Sequence, residues 1–518
     1  MDMDHTTSNL KVVVIGAGIN GLVTANYLRR AGFSVTQIER SDRVGGACIS
    51  ATAMVDGVRQ DYALGASVLG LMQDFVFAET GLAERVQTYV PSHPKQVHFP
   101  GRSEPTWIYR EPDRLDREFR EKWGEHGDVE AFRHDEARVV QFLQDGYRAA
   151  VPPTVNEAVD ALGDTLAHLW ITGSAANLLD HYFTSEAAKT FMAMTITESG
   201  PVSLSEPYSA FTLPMMDSGS IFDGYYGFVR GGIWQITAEL GRINTELGVD
   251  TYLNSTVSEI DIERGEIRFE HEGRELKESC DLLLMATDPV TAARLAGKSD
   301  LIQRTNEERV LGSSGKLNLM FRQPIRWKHG TGQPDSDAAF RFIFAVDNLK
   351  DFEAATLRVT EPGVDYEPGY MQIYCEGAAM RQMGLNEPFD RLAIFFKNLA
   401  LNQSGEQLAE VEQQVKSKLL ELVENPQDCV WSRLLTPRDL KDTFLFPGGN
   451  LDHTMLVGGQ TYFDRQYSAN PSRGFYNFGD HENVYVCGAG TYPCGSVAGT
   501  PGYMCAAQII RENSQGIS

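Results

Sequence analysis

Three glycines and one carboxylate near the start of the chain have the spacing that holds a dinucleotide. Gly16, Gly18 and Gly21 form a GxGxxG motif, and Glu39 follows the last of them by eighteen residues. The first glycine permits a tight turn, the second lets the backbone approach a pyrophosphate, and the third lets a helix pack closely on a strand. A carboxylate at this distance accepts hydrogen bonds from ribose hydroxyls. The neighbouring Arg40 is either a further cofactor contact or a solvated charge.

The residues around this motif predict the elements that must position it. Residues 12–15 are a short, apolar, β-branched run, which is typical of a buried parallel strand. From Asn20 the apolar residues follow helical spacing up to Gly32, which has the place of a helix C-cap. Residues 35–38 predict a second strand. The helix N-terminus would offer free N–H groups to phosphates, so the unit predicts a Rossmann-type, dinucleotide-binding domain.

A second glycine pair follows soon after Glu39, in the sequence Arg43-Val44-Gly45-Gly46. It resembles the RxGG element that follows the Rossmann unit in the amine oxidase and phytoene desaturase superfamily of FAD enzymes. The resemblance implies FAD rather than NAD, and it adds Gly45, Gly46 and Ala47 as cofactor contacts. Residues 47–55 and 58–64 then predict two strands around an Asp-Gly turn.

Three later segments resemble the same superfamily. Residues 229–260 predict a turn, a helix and a strand whose Val257 would contact adenine, and residues 280–289 resemble its strand that ends in Ala-Asp-Pro. Residues 485–508 resemble its C-terminal signature, which places Gly490 and Val497 by the flavin and supplies N–H groups where negative charge gathers on reduction.

Within the superfamily, the chain most resembles the phytoene dehydrogenase-related branch, which includes pyridine nucleotide-disulfide oxidoreductase domain-containing proteins. Residues 435–437 and 448–450, His453 and Gly459-Gln460 carry this likeness. The branch usually reads Gly-Thr-His-Pro-Gly-Gly-Gly where residues 490–496 read Gly-Thr-Tyr-Pro-Cys-Gly-Ser. That stretch should lie by the flavin. This departure from the branch therefore bears on which substrate is bound and which reaction follows.

The predicted fold class is α/β, with a discontinuous Rossmann-type FAD-binding domain and an α+β substrate domain of the amine oxidase and phytoene desaturase type. We assign residues 1–104, 226–300 and 451–518 to the FAD-binding domain. Residues 105–225 and 301–450 contain no cofactor signal and are assigned to the substrate domain. Within it, residues 155–171 predict one helix, and residues 333–337 predict a loop.

Two polar side chains are the catalytic candidates. Tyr492 and His453 would lie near the flavin, where they would orient the substrate or take its second proton. The alternatives are an aromatic wall for Tyr492 and a structural role for His453. For Cys494, a small buried residue is favoured over a redox thiol or a covalent flavin attachment. Several methionines within residues 192–216 either line a substrate pocket or belong to the ordinary hydrophobic core.

The charge and composition of the chain indicate which binding partners and which cellular location to expect. The formal net charge of −24 opposes binding to nucleic acid and to anionic lipid surfaces. We expect no stable membrane insertion, since no apolar run approaches the length of a membrane helix. The polar N-terminus lacks the pattern of a secretion signal, and seven cysteines without a CxxC pair favour a cytoplasmic location. The scattered histidines predict no metal site.

The predicted function is that of an FAD-dependent oxidoreductase, a desaturase, dehydrogenase or oxidase. It would remove a hydride from a C–H bond of an apolar or partly conjugated small molecule and pass it to flavin N5, with oxygen or a quinone as electron acceptor. A flavin amine oxidase is the alternative. The non-enzymatic alternative is a prenyl- or lipid-binding protein of the GDP-dissociation inhibitor type.

Overall fold

A computed structural model describes residues 10–298, 310–456, 465–468 and 474–514. The Gly459-Gln460 pair and residue 301, where the second predicted substrate segment begins, lie outside the described residues. The strands of the described residues, in chain order, are β1 (Lys11–Ile15), β2 (Ser34–Ile38), β3 (Ser50–Val55), β4 (Val58–Ala63), β5 (Thr88–Tyr89), β6 (Lys95–His98), β7 (Thr106–Ile108), β8 (Phe228–Val229), β9 (Asp250–Tyr252), β10 (Ser255–Asp261), β11 (Glu266–His271), β12 (Arg274–Ser279), β13 (Leu282–Met285), β14 (Gly315–Phe321), β15 (Arg341–Phe344), β16 (Tyr370–Tyr374), β17 (Asp390–Phe396), β18 (Cys429–Leu435) and β19 (Val484–Val486).

The α-helices of the same residues are numbered in the same way. They are α1 (Ile19–Arg30), α2 (Asp74–Glu79), α3 (Pro112–Trp123), α4 (Val129–Ala149), α5 (Val155–Leu162), α6 (Asp164–Ala167), α7 (Ala175–Tyr182), α8 (Glu186–Ile196), α9 (Thr212–Met216), α10 (Gln235–Glu246), α11 (Pro289–Leu295), α12 (Pro334–Asp337), α13 (Leu349–Arg358), α14 (Glu376–Gln382), α15 (Gly405–Leu420), α16 (Pro437–Phe444) and α17 (Thr500–Ser514). Within these ranges, each helix is too short or too polar to cross a bilayer.

A five-stranded parallel sheet unites segments from both ends of the chain. Its order is β19-β13-β1-β2-β9, and Val14 of β1 is paired with Leu284 of β13, which is paired with Tyr485 of β19. Helix α17 packs on helix α1, where Thr24 Oγ1 donates to the carbonyl oxygen of Gly502 at 3.0 Å. The apolar β-branched run of β1 is buried on both faces, as a central parallel strand requires.

A seven-stranded sheet forms the second layer of the site, in the order β18-β14-β17-β16-β15-β6-β7. The pairs are antiparallel except for β15 with β6. Strand β6 belongs to this sheet, so the domain boundary predicted at residue 104 falls between β6 and β7, two neighbouring strands.

Two local predictions differ from the structure. The single helix predicted over residues 155–171 is interrupted at Gly163, whose φ of +87° ends α5, and α6 and a π-helical turn at His168–Thr172 follow. The loop predicted at residues 333–337 contains the short helix α12. The hairpin of β3 and β4 is present, with Asp56 and Gly57 at φ of +49° and +77° in its turn.

Candidate cofactor and substrate cavity

One continuous cavity of about 430 Å³ lies between the parallel sheet and the seven-stranded sheet. At one end it is lined by the turn after β1, by Glu39 at the end of β2 and by Val257 of β10. At the other end it is lined by the larger, mostly apolar side chains of Met216, Tyr226 and Phe395. The cavity therefore joins the predicted dinucleotide site to Met216 and Phe395, which belong to the predicted substrate domain.

The carboxylate of Glu39 is held by two backbone N–H groups. Oε2 accepts from Ala17 N and Oε1 accepts from Ser41 N, both at 2.8 Å. The backbone N–H of Glu39 donates to the carbonyl oxygen of Tyr252 in the adjacent strand β9, which fixes the residue at the edge of the cavity. Each carboxylate oxygen has a second lone pair, so the group retains acceptor capacity for ribose hydroxyls.

The glycines form a cradle that a side chain would fill. Gly16 and Gly46 have φ of +98° and +59°, and a Cβ on Gly46 would lie 3.2 Å from the Cα of Gly18. Gly45 N donates to the carbonyl oxygen of Ala17 at 2.8 Å, which brings the second glycine pair against the first turn. Helix α1 begins beside this crossing without a side-chain cap, so its first N–H groups are available to an anion.

Two buried polar atoms in the cavity wall test the fit to FAD. Asn20 Oδ1 and Ser67 Oγ have no hydrogen-bond partner among the described residues, and both residues line the cavity. Buried polar atoms normally have partners, and the phosphate, ribityl and flavin groups of FAD carry donors and acceptors. Together with the glycine cradle and Glu39, these atoms fit the predicted cofactor.

The remaining predicted cofactor residues divide into two groups. Arg40, Ala47, Val257 and Val497 line the cavity, and Arg40 Nη2 also donates to the carbonyl oxygen of Thr443 at 2.9 Å. Gly21 and Gly490 are not lining residues. A Cβ on Gly21 would lie 2.2 Å from the carbonyl oxygen of Gly16, and one on Gly490 would lie 2.5 Å from Pro289 Cδ, so both positions serve close packing.

His453 lies in the cavity wall. Its ring contacts the ring of Phe446 with a centroid separation of 4.9 Å, and its Nδ1 has no hydrogen-bond partner among the described residues. Burial lowers the pKa of His453 to about 4, against an opposing effect of Asp288. The imidazole is therefore neutral near pH 7, and a neutral imidazole can accept a proton or a hydrogen bond.

Tyr492 lies behind the wall rather than in it. Its side chain is fully buried, and its ring packs against the rings of Tyr147 and Phe475 at centroid separations of 5.9 and 6.0 Å. Its carbonyl oxygen accepts from Tyr476 Oη at 2.9 Å. Cys494 is also buried and is not a lining residue, and burial raises the pKa of its thiol. A catalytic role for Tyr492 stays a prediction.

Sequence reasoning missed a cross-strand row of the larger sheet that faces the cavity. Lys316 is paired directly with Phe395 and Leu435, and Phe395 is paired with Gln372, so these side chains share one face. Burial lowers the pKa of Lys316 to about 8. A lysine two residues into the apolar run of residues 315–321 was the available signal, because strand alternation places its side chain on a buried face.

Glu198 was also missed, because it follows a helix without any motif. It lies in the turn Thr197–Ser199 and lines the cavity. Its Oε1 accepts from Gln372 Nε2 at 2.5 Å, and Tyr374 Oη donates to Gln372 Oε1 at 2.6 Å. Burial raises the pKa of Glu198, although Gln372 and Lys397 oppose this effect.

Comparisons with a family profile and with individual proteins indicate the same superfamily as the sequence motifs. The profile of the flavin-containing amine oxidoreductases matches residues 19–367, roughly two thirds of the chain. Pyridine nucleotide-disulfide oxidoreductase domain-containing protein 2 of Rattus norvegicus is 22% identical over 96% of this chain and 93% of its own length. The zeta-carotene-forming phytoene desaturase of Myxococcus xanthus is 27% identical over 62% of each chain.

A solved structure shows the same fold over the whole length. Cyclohexylamine oxidase from Brevibacterium oxydans superposes with a TM-score of 0.59 at 13% identity, over 98% of this chain and 100% of that one. At this identity the likeness concerns the fold alone.

Proposed function

The chain belongs to the flavin-containing amine oxidoreductase family, and on that premise we propose that it transfers a hydride from a substrate C–H bond to N5 of FAD. The predicted superfamily, fold class and FAD cofactor are confirmed. The protein is an FAD-dependent oxidoreductase of the amine oxidase and desaturase superfamily. When bound, FAD supplies the hydride acceptor.

The observation that supports hydride transfer is the lining of the two ends of this cavity. Its cofactor end has the carboxylate of Glu39 and the glycine cradle, and its other end is lined by Met216, Tyr226 and Phe395. An apolar or partly conjugated small molecule placed among the latter would have water excluded from the C–H bond that reacts. Positioning of this kind is sufficient for hydride transfer without a strong acid or base.

The chain's own residues have separable roles in this proposal. Glu39 and the backbone around Gly18 and Gly46 bind the cofactor. Ser496 and Val497, held at φ of +62° and +59°, shape the turn that lines the cavity before α17. His453, neutral and buried, accepts the second proton of the substrate or orients it. Tyr492, whose ring packs behind the wall against Tyr147 and Phe475, is proposed to position this turn.

Flavin amine oxidase is the second candidate, and Glu198 favours it. Burial raises the pKa of Glu198, and an amine that entered the cavity could take the proton of this carboxyl and pair with it. A hydrocarbon polyene offers no such group. The two candidates share the same hydride transfer and differ in the substrate that reaches the cavity.

Anaerobic mixing of the FAD-loaded protein with candidate substrates tests the proposal. Polyenes, cyclic imine precursors and amines are mixed in turn while the flavin absorbance is followed. We expect at least one class to bleach the flavin without added NAD(P)H, and oxygen or a quinone to restore the absorbance. If only NAD(P)H reduces the flavin and oxygen then enters the product, the protein is a monooxygenase and the proposed reaction is wrong.

A further inference from the structure

We propose that Arg465 is a positioning residue of the flavin-facing turn, residues 490–497, and that its buried positive charge favours the reduced form of FAD. Residues 495–497 of this turn line the cavity. The inference goes beyond the proposed reaction, because it concerns the relative affinity of the protein for reduced and oxidised FAD and not the substrate that delivers the hydride. It depends on the FAD cofactor of the family alone.

The guanidinium of Arg465 ties together two segments of the cavity wall. Nη1 donates to the carbonyl oxygen of Pro493 at 3.2 Å. Nη2 donates to the carbonyl oxygen of Asp452 at 2.7 Å and to Thr454 Oγ1 at 2.6 Å. One planar side chain therefore fixes the flavin-facing turn against the segment that contains His453, which itself lines the cavity.

Two tyrosines hold other carbonyl oxygens of the same turn. Tyr467 Oη donates to the carbonyl oxygen of Gly490 at 3.0 Å, and Tyr476 Oη donates to that of Tyr492 at 2.9 Å. A tyrosine hydroxyl is neutral, whereas an arginine guanidinium stays protonated in proteins and brings a full positive charge. Arg465 therefore adds an electrostatic effect to the hydrogen bonds that hold the turn.

The charge of Arg465 is buried beside the cavity. The side chain is 1% exposed, and among the described residues its hydrogen bonds go to neutral oxygen atoms. Burial lowers the pKa of His453 to about 4, and Arg465 adds to this effect. Burial raises the pKa of Asp452, and Arg465 opposes this effect. Both residues line the cavity, so the charge acts across its wall.

A positive charge at this place favours reduced over oxidised FAD. The resemblance that predicts this turn puts it at the pyrimidine edge of the flavin, where negative charge gathers on reduction. A buried cation behind the turn would attract that added charge more strongly than it attracts the neutral oxidised ring. The midpoint potential reports the ratio of the affinities for the two forms, so Arg465 should raise it.

The test measures the midpoint potential of the FAD-loaded protein, without substrate, in Arg465→Met and Arg465→Lys. Methionine keeps an apolar stem and removes the charge. We expect the affinity for reduced relative to oxidised FAD to fall about tenfold, which lowers the potential of a two-electron couple by about 30 mV. Lysine keeps a charge without the planar fork, so it should restore most of the potential while the melting temperature stays below that of the wild type.

Arg341→Met is the matched control. Arg341 is likewise 1% exposed, and it donates to the carbonyl oxygens of Ala339 and Ser336 at 2.8 and 2.9 Å. It precedes Phe342, which is paired with Gln372 of the row that faces the cavity, so strand alternation turns Arg341 to the other face of the sheet. Its replacement should lower the melting temperature and leave the potential unchanged.

Three results would overturn the inference. They are a fall of less than about threefold in the relative affinity in Arg465→Met, an equal fall in Arg341→Met, or a fall in Arg465→Lys as large as that in Arg465→Met. The last result would assign the effect to the geometry of the turn and not to the charge.

Should Arg465→Met fail to retain FAD, Arg465→Lys decides alone. A fall of less than about threefold in the relative affinity supports the role of the charge, and a larger fall overturns it. These measurements use no substrate, so they are independent of the proposed reaction. If no candidate substrate reduces the flavin, the proposed function is contradicted, and the effect of Arg465 on the potential is unaffected.

Discussion

Lys316 Nζ lies 2.7 Å from the carbonyl oxygen of Ala63, a residue 253 positions earlier in the chain. The same ammonium donates to the carbonyl oxygen of Gly65 at 2.9 Å. Lys316 is in the seven-stranded sheet, whereas residues 63–65 end the hairpin that follows the second glycine pair. The bond therefore ties the sheet above the cavity to the backbone that lines its cofactor side, and it uses a lysine whose pKa burial lowers to about 8.

Replacing Lys316 by methionine should weaken both the fold and the cofactor site. The substitution keeps the apolar stem and leaves the carbonyl oxygens of Ala63 and Gly65 unpaired, at a cost of about 1–3 kcal/mol. We expect a lower melting temperature and a larger FAD dissociation constant. Lys328→Met is the control, because Lys328 Nζ donates to a single carbonyl oxygen at an exposed site, that of Glu421. Equal effects of the two variants would contradict the role of Lys316.

Glu39→Ala should weaken FAD binding by roughly 1–3 kcal/mol, the cost of leaving the N–H groups of Ala17 and Ser41 and the ribose hydroxyls without their acceptor. Fluorescence titration of the apoprotein with FAD measures the change. Asp42→Ala removes an exposed carboxylate three positions away and should leave the affinity as it is. A Glu39 variant with wild-type affinity would show that the ribose is held elsewhere.

Gly46→Ala and Gly57→Ala separate backbone strain from obstruction of the cradle. Both glycines have positive φ, at +59° and +77°, so each substitution should cost about 1–2 kcal/mol of stability. Only at Gly46 does the new Cβ approach the facing turn, 3.2 Å from Gly18 Cα, whereas nothing lies within 4 Å at Gly57. We expect only Gly46→Ala to lose FAD affinity. Comparable losses in both variants would refute the cradle.

His453 should make stability depend on pH below neutrality. Its folded pKa of about 4 lies below the usual 6.5, so between these values the unfolded chain binds more protons than the folded chain. The free energy of unfolding should therefore fall as the pH is lowered from 6.5 to 4, by up to about 1.4 kcal/mol per pH unit. Asp288 and Arg465 are the charged groups that act on His453, in opposite directions.

Denaturant unfolding of the FAD-loaded protein at several pH values measures this dependence. His453→Gln should flatten the curve in this range, and His134→Gln, a change at an exposed histidine, should not. A curve that keeps its slope in the His453 variant would contradict the assignment.

His453→Ala and Tyr492→Phe test the predicted catalytic residues. A positioned acid or base contributes about 10²–10⁴-fold to a rate, so His453→Ala should slow anaerobic flavin reduction by at least tenfold. Tyr492→Phe should have a smaller effect, because the ring lies behind the cavity wall. If the reduction rate with the true substrate is unchanged in both variants, both catalytic assignments are wrong, although the fold and the cofactor are unaffected.

The cofactor end of the cavity was predictable because its contacts are local. The turn after β1, the start of α1 and the end of β2 lie within thirty residues, and each has its own pattern of glycines, apolar periodicity or charge. The acid at the end of β2 follows from the same unit. Even the distant strands β13 and β19 have short apolar runs that predict buried parallel pairing.

The substrate end was decided by tertiary structure. Lys316 and Gln372 share one sheet face only because β14, β17 and β16 pair in one register. Glu198 reaches Gln372 because the turn after α8 packs against that face. Register depends on packing between segments that are far apart in the chain, and no local pattern encodes it. The sequence alone thus indicated the FAD cofactor and an oxidoreductase, whereas the sheet register determined which charged groups line the rest of the cavity.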